Sequence, residues 1–375
     1  MAKKIKIAVI GMGNCFSSLY QGFEFYREHK EDNIPGVMFS DIGGYRTSDI
    51  EVVAAFDVDE RKVGKPVGEA IFAEPNCARV FQATVPAGPV VQMGNPLDGV
   101  SDYMAEQPAE CGFRVSKAKP VDVVAVLKET GADILVNYLP VGSQEATEFY
   151  AQCAIDAGVA FLNCIPVFIA SDPKWEQKFI DAGLPIVGDD MRSQVGASVV
   201  SQVLQELAFD RGMEVEFHQQ INIGGNTDFN NMMVHSRLES KKISKENVIR
   251  SQNDIRGIPV PKNSLFAGPG MFLPYLRDNK VAYFNIRLKG FGGAEVTLDI
   301  KLSVQDSENS AGVVIDAIRY LKVARELGVV GSLRGPSAWT QKTPPEQMMY
   351  ADAKAECQAF AERTLTENVK KQVKK

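Results

Sequence analysis

The sequence predicts an α/β protein in which a doubly wound parallel sheet carries an inserted, mostly antiparallel α+β domain. In the first half of the chain, short apolar runs alternate with stretches of helical periodicity, as expected for parallel strands joined by crossover helices. From Met213 the pattern changes, and residues 295–304 alternate between polar and apolar, which is typical of a strand with one buried and one exposed face. We therefore predict a sheet domain over residues 1–200, an inserted domain over 201–310, and a C-terminal helical segment over 311–375 that returns to the first domain.

The composition is that of a globular protein without a nucleic-acid or membrane partner. The 375 residues correspond to two or three domains of ordinary size, and the net charge of −6 argues against a surface for nucleic acid. The first apolar run, residues 5–10, is interrupted by Lys6 and is too short for a signal peptide or a membrane span. The six cysteines form no CxxC pair and the three histidines have no zinc-site spacing. We expect a reduced, cytoplasmic protein.

The first domain begins with a strand, a helix and a second strand. Residues 5–10 form a continuous apolar run, typical of a strand that is buried on both faces. Leu19, Phe23 and Tyr26 share one face of the helix that follows. After an insertion rich in turn residues, a second strand covers 52–56. Later helices and strands repeat this pattern and are predicted at 121–129, 134–138, 143–157, 159–162, 174–182 and 186–188.

The inserted domain is predicted from a hairpin. Residues 296–304 alternate between apolar and polar, so this strand should have one buried and one exposed face. Residues 281–288 precede it across a glycine-containing loop and should pair with it. A helix over 312–327, ended by Gly328, then leads back toward the first domain.

A glycine-rich turn between the first strand and the first helix indicates a dinucleotide site. Gly11 and Gly13 belong to a GxGxxxS pattern, which lacks the third glycine of the Rossmann-type fingerprint. Its position still allows a pyrophosphate to approach the backbone at a helix N-terminus. Asp57 ends the second strand and could bond the ribose hydroxyls, which favours NAD over NADP. The alternative for Asp57 is a solvent-exposed turn residue.

Polar residues follow the remaining strands of the first domain, at the edge where parallel sheets bind their ligands. These segments are Asn137 to Ser143, Asn163 to Pro166 and Gly188 to Asp190, and each taken alone could be ordinary loop chemistry. Ser193 and Gly196 open the next helix and suit phosphate binding. Cys15 and Cys164 are predicted to be packing residues, because no histidine is adjacent in sequence.

A lysine pair suggests an anionic substrate. Lys241 and Lys245 are four residues apart, so on a helix they share a face, where like charges repel unless an anion lies between them. A phosphorylated substrate would supply that anion. The alternative is a solvated basic face.

Taken together, these segments make the chain resemble the myo-inositol-phosphate synthase family, specifically its shorter bacterial and archaeal branch. The resemblance covers nearly the whole chain, although Ser193 to Gly196 departs from the Ser-Gly-Gln-Thr phosphate loop of the longer eukaryotic enzymes. The motifs that carry it are Gly11 to Cys15 with Ser17-Ser18, Tyr138 to Ser143, Gly188 to Asp190, Asn222 to Asp228, Ser240 to Lys245, and Ser337-Ala338 with Lys342 to Gln347.

The resemblance implies an NAD-dependent, redox-neutral cyclisation of D-glucose 6-phosphate to myo-inositol 1-phosphate, also numbered 1D-myo-inositol 3-phosphate. It also implies a homotetramer built through the sheet of the inserted domain. Two alternatives remain open: an NAD-dependent dehydrogenase of another phosphorylated substrate, and a non-catalytic protein that senses NAD.

Residue roles are also implied by the resemblance. Lys241, Lys280 and Lys342 would contact the reacting oxygens, while Asp228 would position the lysines or relay protons. The residues implied for the substrate phosphate are Lys245, Ser193, Asn222 and Asn226. Those implied for the cofactor are Gly11, Gly13, Asn14, Cys15, Asp57, Asn137, Leu139, Pro140, Asn163, Asp190 and Ser307. Asp306 is a candidate ligand for a divalent or monovalent cation, and an ordinary helix cap is its alternative.

Overall fold

The computed structural model describes residues 4–29 and 35–373, which form two sheets with helices packed against them. The strands are β1 (Ile5–Ile10), β2 (Asp41–Ile42), β3 (Tyr45–Arg46), β4 (Ile50–Asp57), β5 (Gln92–Met93), β6 (Ile134–Asn137), β7 (Ala160–Asn163), β8 (Pro185–Val187), β9 (Glu214–Gly224), β10 (Leu265–Phe272), β11 (Asn279–Lys289), β12 (Glu295–Gln305) and β13 (Gly331–Ser332). The helices are α1 (Asn14–Glu28), α2 (Val67–Ala70), α3 (Asp102–Glu106), α4 (Val123–Thr130), α5 (Gln144–Ala157), α6 (Pro173–Ala182), α7 (Ala197–Asp210), α8 (Thr227–Asn231), α9 (His235–Ile255), α10 (Asp306–Leu327), α11 (Arg334–Thr340), α12 (Tyr350–Ala361) and α13 (Glu367–Lys370). Short 3-10 turns lie at Thr47–Asp49, Pro274–Leu276 and Phe291–Gly293.

The larger sheet has seven strands in the order β13-β8-β7-β6-β1-β4-β5, and its neighbours pair in parallel. Successive residues of β1 pack into the hydrophobic cores on opposite faces of this sheet. Ile7 and Val9 pack with α1 and α10, whereas Ala8 and Ile10 pack with α4 and α5. Burying each of the larger side chains, Ile7, Val9 and Ile10, stabilises the fold by roughly 1.5 to 3 kcal/mol. The prediction of a doubly wound parallel sheet is confirmed.

The helix boundaries are set by local capping. The helix predicted at 121–129 begins at Val123, because the side chain of Asp122 accepts a hydrogen bond from the amide of Ala125 at 3.0 Å. Gly131 then ends it in the left-handed conformation. The helix predicted at 312–327 begins earlier, at Asp306, and Gly328 ends it as predicted.

The smaller sheet has the order β10-β9-β11-β12. The pairs β9–β11 and β11–β12 are antiparallel, whereas β9 and β10 are parallel. The predicted hairpin is confirmed as β11 and β12. Along β12 the apolar residues Leu298, Ile300 and Leu302 are half-buried rather than fully buried, since β12 is an edge strand.

The chain returns to the parallel sheet after the smaller one. Helix α10 packs against α1, and β13 then pairs with β8 at the edge of the larger sheet. The predicted domain divisions after residues 200 and 310 fall inside α7 and α10, and they stay predictions. Among the described residues, no helix is both long and apolar enough to cross a membrane.

Candidate active site

The glycine-rich turn has the backbone geometry that its sequence predicts. Gly11 has a φ of +87°, and its amide donates to the carbonyl of Phe56 at 2.8 Å. A Cβ atom at this position would lie 2.6 Å from the carbonyl oxygen of Tyr138, so a larger residue cannot fit. Gly13 directly precedes α1, and no heavy atom lies within 4 Å of where its Cβ would be. The turn therefore leaves backbone accessible at a helix N-terminus.

A cleft of about 1190 Å³, including its solvent-facing part, opens beside this turn at the carboxyl ends of β1, β4 and β6. We call it the cofactor cleft. The residues predicted for the cofactor that line it are Gly11, Gly13, Asn14, Cys15, Asp57, Leu139 and Pro140. The structure thus brings together seven predicted residues from three separate segments of the chain.

The carboxylate of Asp57 is anchored by backbone amides. One oxygen accepts from the amide of Met12 at 2.6 Å, and the other accepts from Val58 at 2.7 Å and Asp59 at 2.9 Å. Asp57 therefore ties the glycine-rich turn to the end of β4. It faces the cleft in a fixed orientation, where a ribose could share its oxygens.

Lys62 is a cleft residue that sequence reasoning missed. Its ammonium donates to the carbonyl of Met12 at 2.8 Å and to Oδ1 of Asn76 at 3.0 Å. Burial lowers its pKa, although the nearby carboxylates of Asp57 and Asp59 oppose the shift. Its sequence context, a run of charged residues after Asp57, is typical of an exposed turn, so no local signal could have found it.

Asn137 and Asn163, predicted to bind the cofactor, are fully buried and do not line the cleft. Asn137 donates to Asn163 at 2.9 Å, and Asn163 donates to Asp189 at 2.7 Å. This network joins the ends of β6, β7 and β8. Burial raises the pKa of Asp189 to about 6, despite the hydrogen bonds it accepts from Asn163, Ala170 and Ser171. Sequence reasoning placed both asparagines at the correct sheet edge, but their side chains point into the network.

A second cavity, of about 680 Å³, adjoins the cofactor cleft and shares Cys15, Cys164, Asp228, Lys241 and Asp306 with it. We call it the lysine cavity. The predicted residues that line it are Lys241, Lys245, Lys280, Lys342, Asp190, Ser193, Asn222, Asp228 and Asp306. Helix α9, strand β11 and the segment after α11 each supply lysines to it.

Asp190 links two of these lysines. Its Oδ1 lies 2.8 Å from Nζ of Lys342 and 3.3 Å from Nζ of Lys241, and its Oδ2 accepts from the hydroxyl of Ser244 at 2.6 Å. Burial alone would raise the pKa of Asp190, but the charges of Lys241 and Lys342 hold it well below its usual range. Asp190 was predicted to bind the cofactor; it lines the lysine cavity and not the cofactor cleft. Ser244 was missed because only the fold brings it to Asp190.

The lysines of the cavity are in different electrostatic environments. Burial acts to lower the pKa of Lys241, but Asp190 together with Asp228 raises it above its ordinary value. Burial lowers the pKa of Lys342 to about 8, with Asp190 opposing the shift. Burial and the charges of the other lysines lower the pKa of Lys245 to about 7. Among the described side chains, Lys245 has no carboxylate within 4 Å. One lysine is therefore held charged, and two can exchange a proton near neutral pH.

Lys280 forms an ion pair with Asp306, the candidate cation ligand. Pairing with an ammonium group leaves this carboxylate poorly suited to a metal. The described residues also contain no group of three or more histidine, cysteine, aspartate or glutamate side chains arranged to hold one. The described side chains alone supply no metal site at Asp306, and its role as a cation ligand stays a prediction.

Asn226 and Ser307 meet at Asp278, which sequence reasoning did not single out. Asn226 donates to Asp278 at 3.2 Å and caps α8 by accepting from the amides of Asp228 and Phe229. Ser307 donates its amide and hydroxyl to the same carboxylate at 3.0 and 2.8 Å. Burial raises the pKa of Asp278 to about 6. Asn226 was predicted to bind the substrate phosphate, but it lines the cofactor cleft. Ser307 was predicted to bind the cofactor, but it is fully buried and lines neither cavity.

Cys15 and Cys164 lie where the two cavities meet. Burial raises the pKa of Cys15 to about 12 and that of Cys164 well above its ordinary value. Both groups are therefore thiols at neutral pH, which supports the prediction that they pack rather than attack.

The fold and the two adjoining cavities define an α/β protein with an open cleft beside a glycine-rich turn and a neighbouring pocket lined by four lysines. Residues 196–307 match the family model described as Myo-inositol-1-phosphate synthase. The chain is 48% identical over 364 residues to the inositol-3-phosphate synthase of Mycolicibacterium smegmatis, covering 96% of this chain and 99% of that protein. Identity to the Corynebacterium glutamicum inositol-3-phosphate synthase is 45% over 360 residues, covering 95% and 98% of the two chains.

A solved structure agrees with these sequence relationships. The crystal structure of a myo-inositol-1-phosphate synthase-related protein from Thermotoga maritima superimposes with a TM-score of 0.80 at 25% identity, covering 97% of this chain and 100% of that one. The chain belongs to the inositol-3-phosphate synthase family, and it is an isomerase-type enzyme.

Proposed function

We propose that the protein converts D-glucose 6-phosphate to myo-inositol 1-phosphate (1D-myo-inositol 3-phosphate), with NAD as a cofactor that is not consumed. The observation that carries this proposal is the group of four lysines around one cavity, which opens directly into the cleft beside the glycine-rich turn. A sugar phosphate that bridged the two spaces would place its phosphate among the lysines and its ring near the cleft.

The cofactor cleft fits NAD by its backbone chemistry. The N-terminus of α1 offers amide groups to a pyrophosphate, and Asp57 offers a fixed carboxylate to a ribose. NAD would supply a reversible oxidation of the hydroxyl at the fifth carbon of the sugar. Gly11, Gly13 and Asp57 would hold it for that purpose.

The charge state of each lysine suits a different task. Lys241, held charged beside Asp190 and Asp228, would stabilise negative charge that develops on a substrate oxygen. Lys342, whose pKa is about 8, would accept and return a proton as the enolate forms and the ring closes. Lys280 would contact a further reacting oxygen, while Asp228 would position Lys241.

The part of the lysine cavity around Lys245 suits the phosphate. Lys245 points into the lysine cavity and becomes fully charged when an anion binds near it. The cavity also includes Ser193 and the first turn of α7, where helix amides lack partners within the helix. Asn222 completes this phosphate subsite.

We also propose that the enzyme assembles as a homotetramer through the smaller sheet. Strand β12 is an 11-residue edge strand with exposed side chains, and its unpaired edge is a template for a second chain. Light scattering of the purified protein tests this proposal, and a monomer at micromolar concentration would overturn it.

Turnover of glucose 6-phosphate with a trace of NAD tests the proposed reaction. We expect a phosphorylated cyclitol to accumulate, as detected by phosphorus NMR, with no net change in the nicotinamide absorbance. An NAD-dependent dehydrogenase, the alternative, would produce NADH in proportion to the product. The absence of any cyclitol phosphate across several added cations would overturn the proposal.

A further inference from the structure

A chain of four buried polar side chains runs from the lysine cavity into the interior of the smaller sheet. Asn222, Gln220 and His218 occupy alternate positions on one face of β9, and Ser201 of α7 packs against them. Each is at most 1% exposed. Buried polar groups are costly unless they are hydrogen-bonded, and each member of this strip bonds to its neighbour. One end of the strip lies at the lysine cavity, which Asn222 and Gln220 both line.

The hydrogen bonds of this chain can run in only one direction. Asn222 lies 3.1 Å from the carbonyl oxygen of Gly268, which can only accept, so the amide nitrogen of Asn222 must face it. The oxygen of Asn222 then faces Gln220 at 3.1 Å, so Gln220 must donate with its own amide nitrogen.

The same reasoning extends to the buried end. The oxygen of Gln220 faces the hydroxyl of Ser201 at 2.9 Å, so that hydroxyl donates its only proton to Gln220. Ser201 can then only accept from Nε2 of His218, which lies 2.9 Å away. His218 must therefore carry its proton on Nε2. Its Nδ1 is buried without a partner among the described residues, and with the proton on Nε2 no N–H of the ring is left unpaired there.

The direction of these hydrogen bonds determines which atoms of Gln220 face a ligand in the lysine cavity. An amide nitrogen carries two hydrogens, and the bond to Asn222 uses one hydrogen of Gln220. If the amide were reversed, a carbonyl oxygen would face the cavity and would repel a phosphate. His218 and Ser201 prevent that reversal without lining the lysine cavity themselves.

We propose that Gln220 donates its second amide hydrogen to the substrate phosphate, and that Ser201 and His218 are positioning residues that fix the amide in this orientation. The inference deepens the proposed function, because it rests on the lysine cavity holding the phosphate of the sugar.

The substitution Gln220→Met tests the contact, because it keeps the length of the side chain, adds no charge and removes the amide hydrogens. The matched control is Gln219→Met, the same change one residue away on the opposite face of β9. We expect the KM for glucose 6-phosphate to rise about tenfold to hundredfold in the first variant, as for a lost hydrogen bond to a charged group. The control should stay within about twofold of the wild type. Equal KM values in the two variants, both still binding NAD, would overturn the proposal.

Two further variants test the positioning role. His218→Gln can place an amide nitrogen near the position of Nε2, whereas His218→Leu cannot donate. We expect His218→Leu to raise the KM several-fold with kcat nearly unchanged, and His218→Gln to restore the wild-type KM. A parallel loss of kcat in both variants would show a merely structural role and would overturn the positioning claim.

Binding of inorganic phosphate, measured by calorimetry without NAD, separates this inference from the proposed function. If wild-type protein binds phosphate and Gln220→Met binds it at least tenfold more weakly, the contact holds even where no cyclitol forms. If both bind phosphate equally, the contact is wrong even where the cyclisation is confirmed.

Discussion

Lys342 donates a hydrogen bond at 2.8 Å to Asp190, a residue 1% exposed that follows β8. The same oxygen of Asp190 lies 3.3 Å from Nζ of Lys241, so one carboxylate holds two catalytic candidates from distant parts of the chain. Backbone hydrogen bonds reinforce this arrangement, since the amide of Lys342 donates to the carbonyl of Asp190 at 2.7 Å. The position of Lys342 therefore depends on both the backbone and the side chain of Asp190.

Replacing Asp190 with asparagine should destabilise the protein and abolish turnover. Two buried ammonium groups would lose their shared counter-charge, and breaking a buried ion pair in this way costs about 3 to 5 kcal/mol. The folded state holds the pKa of Asp190 below its unfolded value, so this stabilisation is complete at neutral pH and is lost as pH falls through the folded-state pKa. Urea unfolding at pH 7 measures the change. A variant as stable as wild type would contradict the role of Asp190.

Replacing Lys241 with alanine should lower kcat by about 100-fold or more, because charge on a reacting oxygen would lose its cationic partner. Lys242 provides a matched control, since it is the adjacent lysine on α9, is exposed and does not line the cavity. We expect Lys242→Ala to retain wild-type turnover. If Lys241→Ala also retained it, the mechanistic role of Lys241 would be wrong.

Glucose 6-phosphate should bind more weakly as pH rises above 7. The pKa of Lys245 is lowered to about 7, so this lysine is charged below that pH and increasingly neutral above it. Binding of the phosphate requires the charged form and should therefore take up a proton, weakening the affinity by up to about tenfold per pH unit. Calorimetry between pH 7 and pH 9 without NAD measures this dependence.

The variant Lys245→Met is the control for that experiment. Its affinity should be low at every pH, and its pH dependence should be smaller than that of the wild type because the titrating group is absent. An unchanged pH dependence would assign the proton to another group, such as Lys342, whose pKa is about 8.

The substitutions Gly11→Ala and Gly13→Ala should have different effects, the first on stability and the second on NAD binding. At Gly11, a left-handed backbone costs about 1 to 2 kcal/mol for an alanine, and the added Cβ would also meet the carbonyl of Tyr138. Gly11→Ala should therefore lower the free energy of unfolding. Gly13 has room for a Cβ, so Gly13→Ala should keep its stability while its methyl group hinders NAD. Thermal unfolding and NAD titration measure the two effects; equal stability losses would contradict the distinction.

The sequence predicted those parts of the site that depend on local pattern. The apolar run before Gly11 and the four-residue spacing of Lys241 and Lys245 pointed to residues that line the cofactor cleft and the lysine cavity, because strand burial and helical faces are local properties. The family resemblance added Lys280 and Lys342, which have no local signal. Asn226, predicted for the phosphate, lines the cofactor cleft, and Asp190, predicted for the cofactor, lines the lysine cavity, because the position of each depends on how distant loops converge.

Other residues were beyond prediction for a related reason. Lys62 and Asp278 have the sequence context of exposed turns, yet the fold buries both against the cofactor cleft and its supporting loops. Gln220 lies in a strand whose sequence does not reveal which polar residues face inward. Such roles arise from tertiary contacts, and a single sequence carries no periodicity that marks them.

The segments that line the lysine cavity are synthesised at different times. Asp190 leaves the ribosome first, Lys241 and Lys280 follow, and Lys342 comes only after α11. A nascent chain that ends at β12 would already possess the glycine-rich turn, but it would lack the lysine that donates to Asp190. Such a chain would also lack α10, which packs against α1, and β13, which pairs with β8, so neither the cleft nor the cavity is complete before the C-terminal segment is made. Because Lys342 is made late, the complete lysine cavity can form only after most of the chain has been synthesised.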